Sequence, residues 1–341
     1  MRLKRRYTLF GVAVTSSIMI SSCGTDPAIQ SAQSFGLMAA DFENNTDKLA
    51  EDIYNSCIRK LSYFSVASSQ GTTQRDNALA NCQTLNKPAV GEAKNANKIV
   101  TDYGTSIGKL AVDDIVKFDD EFNNIKNALN KFSIPSANGN VTLPQGAVNT
   151  GTQIANLIFG WVVSQERKGT LREAIICTDK PLQTYTKGLE NAFRDGYING
   201  VLNDEEDRAK SYYDFYITQL RQLGTSRDFM ELERESSEVL QNFVKRRNAA
   251  ESYIAIINKT AQAHTKLKDV FLGDSEPPSE EYCNIYLKAK ESNSTAINSV
   301  HQRNSLDTPL TLKELAQVQK IALNYRKEIE PLLQKMEQEL K

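Results

Sequence analysis

The sequence has few of the residues that break helices. It also has few histidines, the residue that enzymes use most often for acid–base chemistry. It holds 17 glycines and 9 prolines in 341 residues, and only 2 histidines and 1 tryptophan. So few breakers favour long helices. Lysine and arginine number 41 against 42 acidic residues, so the net charge is -1. Because nucleic acid attracts strongly basic chains, this balance gives no reason to expect it as a partner.

The sequence also lacks the motifs of several enzyme and metal-site classes. It has no Walker A loop, G-x-G-x-x-G loop, G-x-S-x-G elbow or H-E-x-x-H motif. His264 and His301 are predicted to be surface or boundary residues. The acidic run 204–207 lacks the pattern of a calcium loop and is interpreted as a helix start. No two cysteines have the spacing of zinc ligands. We therefore expect no catalytic residue, metal or cofactor.

The first 23 residues form a targeting segment that must be set aside before the fold is considered. Basic residues at 2–6 precede an uncharged apolar stretch at 7–20, which is too short for a permanent membrane span. The segment closes with Ile20-Ser21-Ser22-Cys23, and this tetrapeptide resembles the lipobox of bacterial lipoproteins. The small side chains let a peptidase approach the backbone, and the thiol accepts the lipid. The alternative is an ordinary secretory signal with a chance cysteine.

The lipoprotein resemblance implies both a processing scheme and a location. Residues 1–22 would be removed as a signal peptide, 23–28 would form a short tether, and 29–341 would form a single helical-bundle domain. Several acyl chains on Cys23 would anchor the protein stably at the cell envelope. Gly24 stands where an aspartate would favour the inner membrane, so the outer membrane is expected, at its periplasmic face or at the surface. A Gram-positive surface is the alternative.

Four cysteines remain in the mature chain, and an even number in an oxidising compartment suggests two disulfides. Residues 68–73 are interpreted as a turn between two helices, with Cys57 about as far before it as Cys82 is after it. Such positions face each other in a helical hairpin. We therefore predict a Cys57–Cys82 bridge, which leaves Cys177 and Cys283 for the second. The alternative is that some of them are buried free thiols.

The spacing of apolar residues predicts helices through nearly the whole mature chain. The first predicted helical segments are 28–66, about 75–129 with a bend at Pro88, and 170–200 with a break at Pro181. The next is 203–272, with Asn203 as its N-cap and either continuous or interrupted at 224–226. A helix at 279–302 and a last helix with a Thr311–Glu314 capping box follow. Two prolines and an Asn-Gly pair predict a loop or small hairpin near 133–149. The predicted fold is all-α, an elongated antiparallel helical bundle with coiled-coil-like long helices.

Three further segments bear on function. Tyr212, Tyr213, Phe215 and Tyr216 crowd one helix, either to pack against a neighbour or to bind a partner. The basic run 245–247 is interpreted as a solvated helix face. The apolar stretch 154–163 is predicted to be a buried central helix, although the general outline resembles α-helical pore-forming toxins.

Together these patterns predict a lipid-anchored envelope protein of non-enzymatic, interaction or scaffold type. Its partners would be the membrane, through Cys23, and an envelope protein. The alternatives are a membrane-active helical protein and an unrecognised cell-wall enzyme.

We expect the Cys23→Ala precursor to lose its acyl chains and to be washed from membranes by carbonate, because the thiol is the only lipid acceptor in the motif. Mass spectrometry of the mature amino terminus gives the direct measurement. Ser22→Ala keeps a small residue before the cysteine and should stay lipidated. Equal retention of the Cys23→Ala chain would contradict the lipoprotein prediction.

Overall fold

The computed structural model describes residues 27–64, 69–110, 122–137, 139–163, 167–223, 226–273, 275–291 and 311–340. The signal segment, Cys23 and His301 lie outside these residues. The described helices are α1 (Pro27–Lys60), α2 (Ser69–Asn81), α3 (Lys87–Leu110), α4 (Phe122–Lys131), α5 (Gln145–Val163), α6 (Arg167–Asn191), α7 (Asn203–Leu223), α8 (Ser226–Leu272), α9 (Glu280–Glu291) and α10 (Leu312–Glu339). The all-α prediction is confirmed.

Several predicted helix boundaries were wrong. The segment predicted as a turn, 68–73, is mostly helical, since α2 begins at Ser69. Pro181 is buried inside α6 and does not break it. Asn203 is not an N-cap: its backbone is right-handed helical, and a π-helical segment, Ala192–Leu202, leads directly from α6 into α7. A second π-helical segment, Cys82–Asn86, precedes Pro88.

The predicted hairpin is present as a two-stranded antiparallel sheet. Strand β1 (Ser133–Ser136) pairs with β2 (Gly139–Thr142), so that Ser136 lies opposite Gly139. Gly139 has a φ of 108°, a left-handed conformation that side chains disfavour. The irregular segment ends before 149, because α5 begins at Gln145. The hairpin packs on the segment 192–202, where glycines let the backbones come close.

The core forms where α1, α3, α6, α8 and α10 pack against one another. Large aromatic side chains fill it, and their hydroxyl groups find acceptors, as buried polar groups require. Tyr185 donates to the Ala96 carbonyl at 2.6 Å, and Tyr253 donates to Asn97 Oδ1 at 2.7 Å. The predicted capping box is confirmed at Thr311, and Met336 is buried on the apolar seam of α10.

Two disulfides connect elements distant in the chain, with the predicted pairing. Cys57–Cys82 joins α1 to the π-helical segment 82–86 with a Cα–Cα distance of 5.6 Å. Cys177–Cys283 joins α6 to α9 at 5.0 Å, across 106 residues. In the chain-entropy model a loop of that size stabilises the fold by about 4–5 kcal/mol. This bridge therefore fixes α9 to the bundle.

The apolar stretch predicted as a buried helix forms the second half of α5. Ile154, Ala155 and Leu157 are buried in the core, in agreement with the prediction for this part. Within the described residues, no helix is both long and apolar enough to cross a membrane.

We expect Gly188→Ala to destabilise the fold by about 1–3 kcal/mol, because overpacked cores are strained. A Cβ at Gly188 in α6 would lie 2.4 Å from the Cβ of Ala147 in α5. At Gly91 in α3 the same change meets no atom within 4 Å. Gly91→Ala should therefore stabilise the helix by about 0.5–1 kcal/mol. Urea denaturation of both variants measures the difference, and equal shifts would contradict the close packing of α5 on α6.

Candidate functional site

A buried cluster of charged side chains connects three helices that are far apart in the sequence. Arg246 of α8 donates through Nη1 to Asp52 Oδ2 of α1 at 3.1 Å and to Glu205 Oε2 of α7 at 2.7 Å. Arg59 donates to the same two carboxylates, to Asp52 Oδ1 at 2.6 Å and to Glu205 Oε1 at 2.9 Å. We call these four residues the ion cluster. Tyr197 donates a further hydrogen bond to Asp52 at 2.6 Å.

Asp52 and Arg246 keep their charges although both side chains are almost completely buried. Burial by itself would raise the pKa of Asp52, but Arg59, Arg246 and the Tyr197 hydroxyl outweigh it and lower that pKa below its ordinary value. Burial would lower the pKa of Arg246, and the two carboxylates reverse that effect and raise it. Two guanidinium groups thus balance two carboxylates in the interior.

The positions of Glu205 and Arg246 show that two predictions were wrong. Glu205 was interpreted as part of a helix start and Arg246 as part of a solvated face, yet they are 1% and 5% exposed. A signal for this was present, because both residues lie on the apolar stripe of their helix. Glu205 is in phase with Ala209 and Tyr213, and Arg246 is in phase with Phe243 and Ala250, at three- and four-residue steps. A charge on such a stripe needs a buried partner.

Beside the ion cluster lies a cavity of about 590 Å³, between α1 and α8 and next to the end of α10. Its walls carry more negative than positive groups. The carboxylates are those of Glu51, Asp52, Glu205, Glu235, Glu238 and Glu339, and the cations are those of Lys48, Arg59 and Arg246. Tyr63 adds an aromatic ring. The cavity therefore has an excess of three carboxylates.

The four aromatic residues predicted either to pack or to bind a partner divide between these roles. Tyr213 is buried and donates to Glu235 Oε1 at 3.0 Å, so it packs. Tyr212 is partly covered, with its ring centroid 5.8 Å from that of Tyr63. Tyr216 is also partly covered, whereas Phe215 is 58% exposed. The exposed edge of this cluster is thus centred on Phe215.

The adjoining halves of α7 and α8 form a pair of helices that contributes no fully buried side chain, although Ile217, Leu232, Val239 and Leu240 pack against the buried cluster at their base. We call residues 214–223 and 227–242 the arm. No residue in it is buried, although Tyr213 and Phe243, which flank it, both are. Leu223 and Met230 are 72% and 67% exposed. The arm carries six carboxylates and three arginines, so it is acidic as well as partly apolar.

A second buried polar group surrounds His264 and corrects its predicted surface location. His264 is 3% exposed, with Nδ1 3.2 Å from Asp179 Oδ1 and Nε2 3.3 Å from Thr178 Oγ1. Burial lowers the pKa of His264 in spite of Asp179. The order carboxylate–imidazole–hydroxyl is that of an activated nucleophile. Thr178, however, has no exposed surface and donates to the Ala174 carbonyl at 2.6 Å, so we assign this group a structural role.

Comparison with known proteins adds no constraint on the site. No protein family, curated protein or solved structure matches the chain. Among the residues that the structure describes, no group of three or more histidine, cysteine or acidic side chains is arranged to hold a metal ion. The function must therefore be inferred from the arm, the ion cluster and the cavity themselves.

We expect Asp52→Asn to destabilise the fold by about 3–5 kcal/mol, because it leaves two arginines with one carboxylate in a buried site. Glu51→Gln changes the neighbouring residue of α1 in the same way. Its side chain is 53% exposed and paired with Lys94, so the expected cost is below about 1 kcal/mol. Denaturant unfolding of both variants tests this, and a cost for Asp52→Asn no larger than that for Glu51→Gln would be the contrary result.

Proposed function

We propose that this protein is a lipid-anchored protein of the bacterial envelope that binds a protein partner through the arm and catalyses no reaction. The lipobox-like segment supports the anchor. The exposed apolar side chains of the arm support the partner, and this is the observation on which the proposal depends. Phe215, Leu223 and Met230 are exposed on the part of α7 and α8 that supplies no fully buried side chain.

Apolar exposure on the arm is the property that a binding surface requires. A soluble protein gains nothing by holding large apolar side chains in water, and groups of them are typical of interaction sites. The arm is also held in place at its base, where Tyr213 is buried beside Ala209 and Phe243. A rigid base lowers the entropy that must be lost when a partner binds.

The charges of the arm indicate the chemistry of the partner. Carboxylates outnumber arginines on it by six to three. An anionic membrane surface would repel such an arm, whereas a protein with a basic rim around an apolar groove would complement it. The proposed partner is therefore a basic envelope protein, and the lipid on Cys23 would keep the arm within reach of it.

We expect Met230→Ser to weaken partner binding by about tenfold or more, as loss of an interface anchor does. The folded state should be unaffected, because the Met230 side chain is exposed. The measurement uses a photo-crosslinking residue at position 215 in the lipidated full chain, in native envelopes. A discrete crosslinked product whose yield falls with Met230→Ser is the expected result.

Leu85 provides the matched control. It is 48% exposed on the π-helical segment 82–86, outside the arm. A crosslinker at position 85 should give no such product, and Leu85→Ser should leave the product at position 215 unchanged. The same products from both positions, or none from either, would refute a partner surface on the arm.

A further inference from the structure

Another cavity, of about 270 Å³, lies between the end of α1, the start of α7 and the tip of the hairpin. We call it the hairpin cavity. It shares no lining residue with the cavity beside the ion cluster. Sites for drug-sized ligands have volumes of roughly 300–1,000 Å³. The hairpin cavity is just below this range, so its ligand would be a small molecule.

The hairpin cavity has partly apolar walls that the fold holds in place. The apolar side chains are those of Phe64, Ala78, Leu85, Pro135, Ala137 and Val201. On one side the wall is fixed by the Cys57–Cys82 disulfide, and on the other by the packing of the hairpin on the segment 192–202. A preformed cavity with apolar walls and a few polar groups is the usual form of a small-ligand site.

The first polar group is the side-chain amide of Asn86. Asn86 lines the cavity and is only 7% exposed. Among the residues that the structure describes, none donates a hydrogen bond to this amide or accepts one from it. A buried polar group without a protein partner is unfavourable. A carboxamide offers both a donor and an acceptor, so it complements the N–H and C=O of an amide in a ligand.

The second polar group is the guanidinium of Arg208. Asp204 forms an ion pair with Lys60, and its distance of 4.0 Å from Arg208 is too long for a hydrogen bond. Arg208 instead lies over the Phe64 ring, 4.7 Å from its centroid. Within the described part of the chain it makes no hydrogen bond. Two cations and one carboxylate line the cavity, so its excess positive charge favours an anionic group at Arg208.

These two groups lie at different ends of the hairpin cavity. Asn86 is one turn beyond Cys82, which is bonded to Cys57, and from there α3 runs back along α1. Arg208 lies over Phe64, which is seven residues beyond Cys57, or about 10 Å along a helix. A ligand of two residue lengths spans roughly 7 Å. A hydrogen bond of roughly 3 Å at each end lets such a ligand contact both groups.

We propose that the hairpin cavity binds a small N-acylated amino acid, with its carboxylate on Arg208 and its amide on Asn86. The acyl group and the side chain of the ligand would contact the apolar wall at Leu85 and Pro135. The site goes beyond the partner surface proposed above and does not depend on it.

The experiment measures binding of N-acetylglycine to the detergent-solubilised full chain by saturation-transfer NMR, which detects weak ligands. Two matched probes each remove one feature. N-acetylglycinamide lacks the negative charge, and 4-oxopentanoate has a methylene group where N-acetylglycine has its amide N–H. We expect N-acetylglycinamide to bind about tenfold more weakly or worse, because a charge-assisted contact is lost. We expect 4-oxopentanoate to bind severalfold more weakly, because one hydrogen bond is lost.

Variants identify the residues that bind each part of the ligand. Arg208→Gln should weaken N-acetylglycine by about tenfold. Arg221→Gln is the matched control, because Arg221 is also an arginine of α7 that lies over a phenylalanine, Phe229, but outside the cavity lining. Asn86→Ala should abolish the preference for N-acetylglycine over 4-oxopentanoate, which a purely structural role of Asn86 would not do. Met230→Ser should leave the affinity unchanged, which separates this site from the arm.

Several outcomes would overturn the proposal. One is equal affinity for N-acetylglycine and N-acetylglycinamide, and another is equal weakening by Arg208→Gln and Arg221→Gln. Absence of N-acetylglycine binding at millimolar concentration would refute it as well. Equal binding of 4-oxopentanoate and N-acetylglycine would show that the cavity selects negative charge alone and that Asn86 recognises no amide.

Discussion

The shared coordination of Asp52 and Glu205 by two arginines is the interaction on which the rest of the structure depends. Asp52 and Arg246 are 194 residues apart, so their contact decides how α1 and α8 face each other. Taking Asp52, Glu205 and Arg246 out of water is expensive, and only their close pairing offsets that cost. Removing one partner leaves a buried charge uncompensated, so the position of each helix is strongly constrained by the others.

The same constraint extends through the π-helical segment 192–202 to the hairpin. Tyr197 of that segment donates to Asp52, and its neighbours Gly196 and Gly200 lie against the hairpin residues Ile134 and Ser136. A side chain at either glycine would meet the hairpin at less than 3 Å. Because segment 192–202 contacts both the ion cluster and the hairpin, it fixes their positions relative to each other. The arm begins at residue 214, further along α7.

The sequence predicted the helices, the hairpin and the disulfide pairing, but not the ion cluster. Periodicity shows which face of a helix is apolar, and this was sufficient to predict that α1, α8 and α10 are helices. It does not report which distant charge meets Arg246, because that pairing depends on the packing of α1 and α7 against α8. The N-cap predicted at Asn203 failed for a related reason. Local preferences there are smaller than the free energy gained from packing.

Burial separates the charges that hold the fold together from those that remain free to bind. Inside the bundle, Arg246 and Glu205 use their charge on each other, so that charge is not available to a ligand. Along α8, towards the arm, Glu238 is 70% exposed and its pair with Arg234 is 3.9 Å long. An exposed pair of this kind contributes little to stability. Substitutions of charged residues in the outer half of α8 should therefore cost little folding free energy, whereas those in its inner half should cost much more.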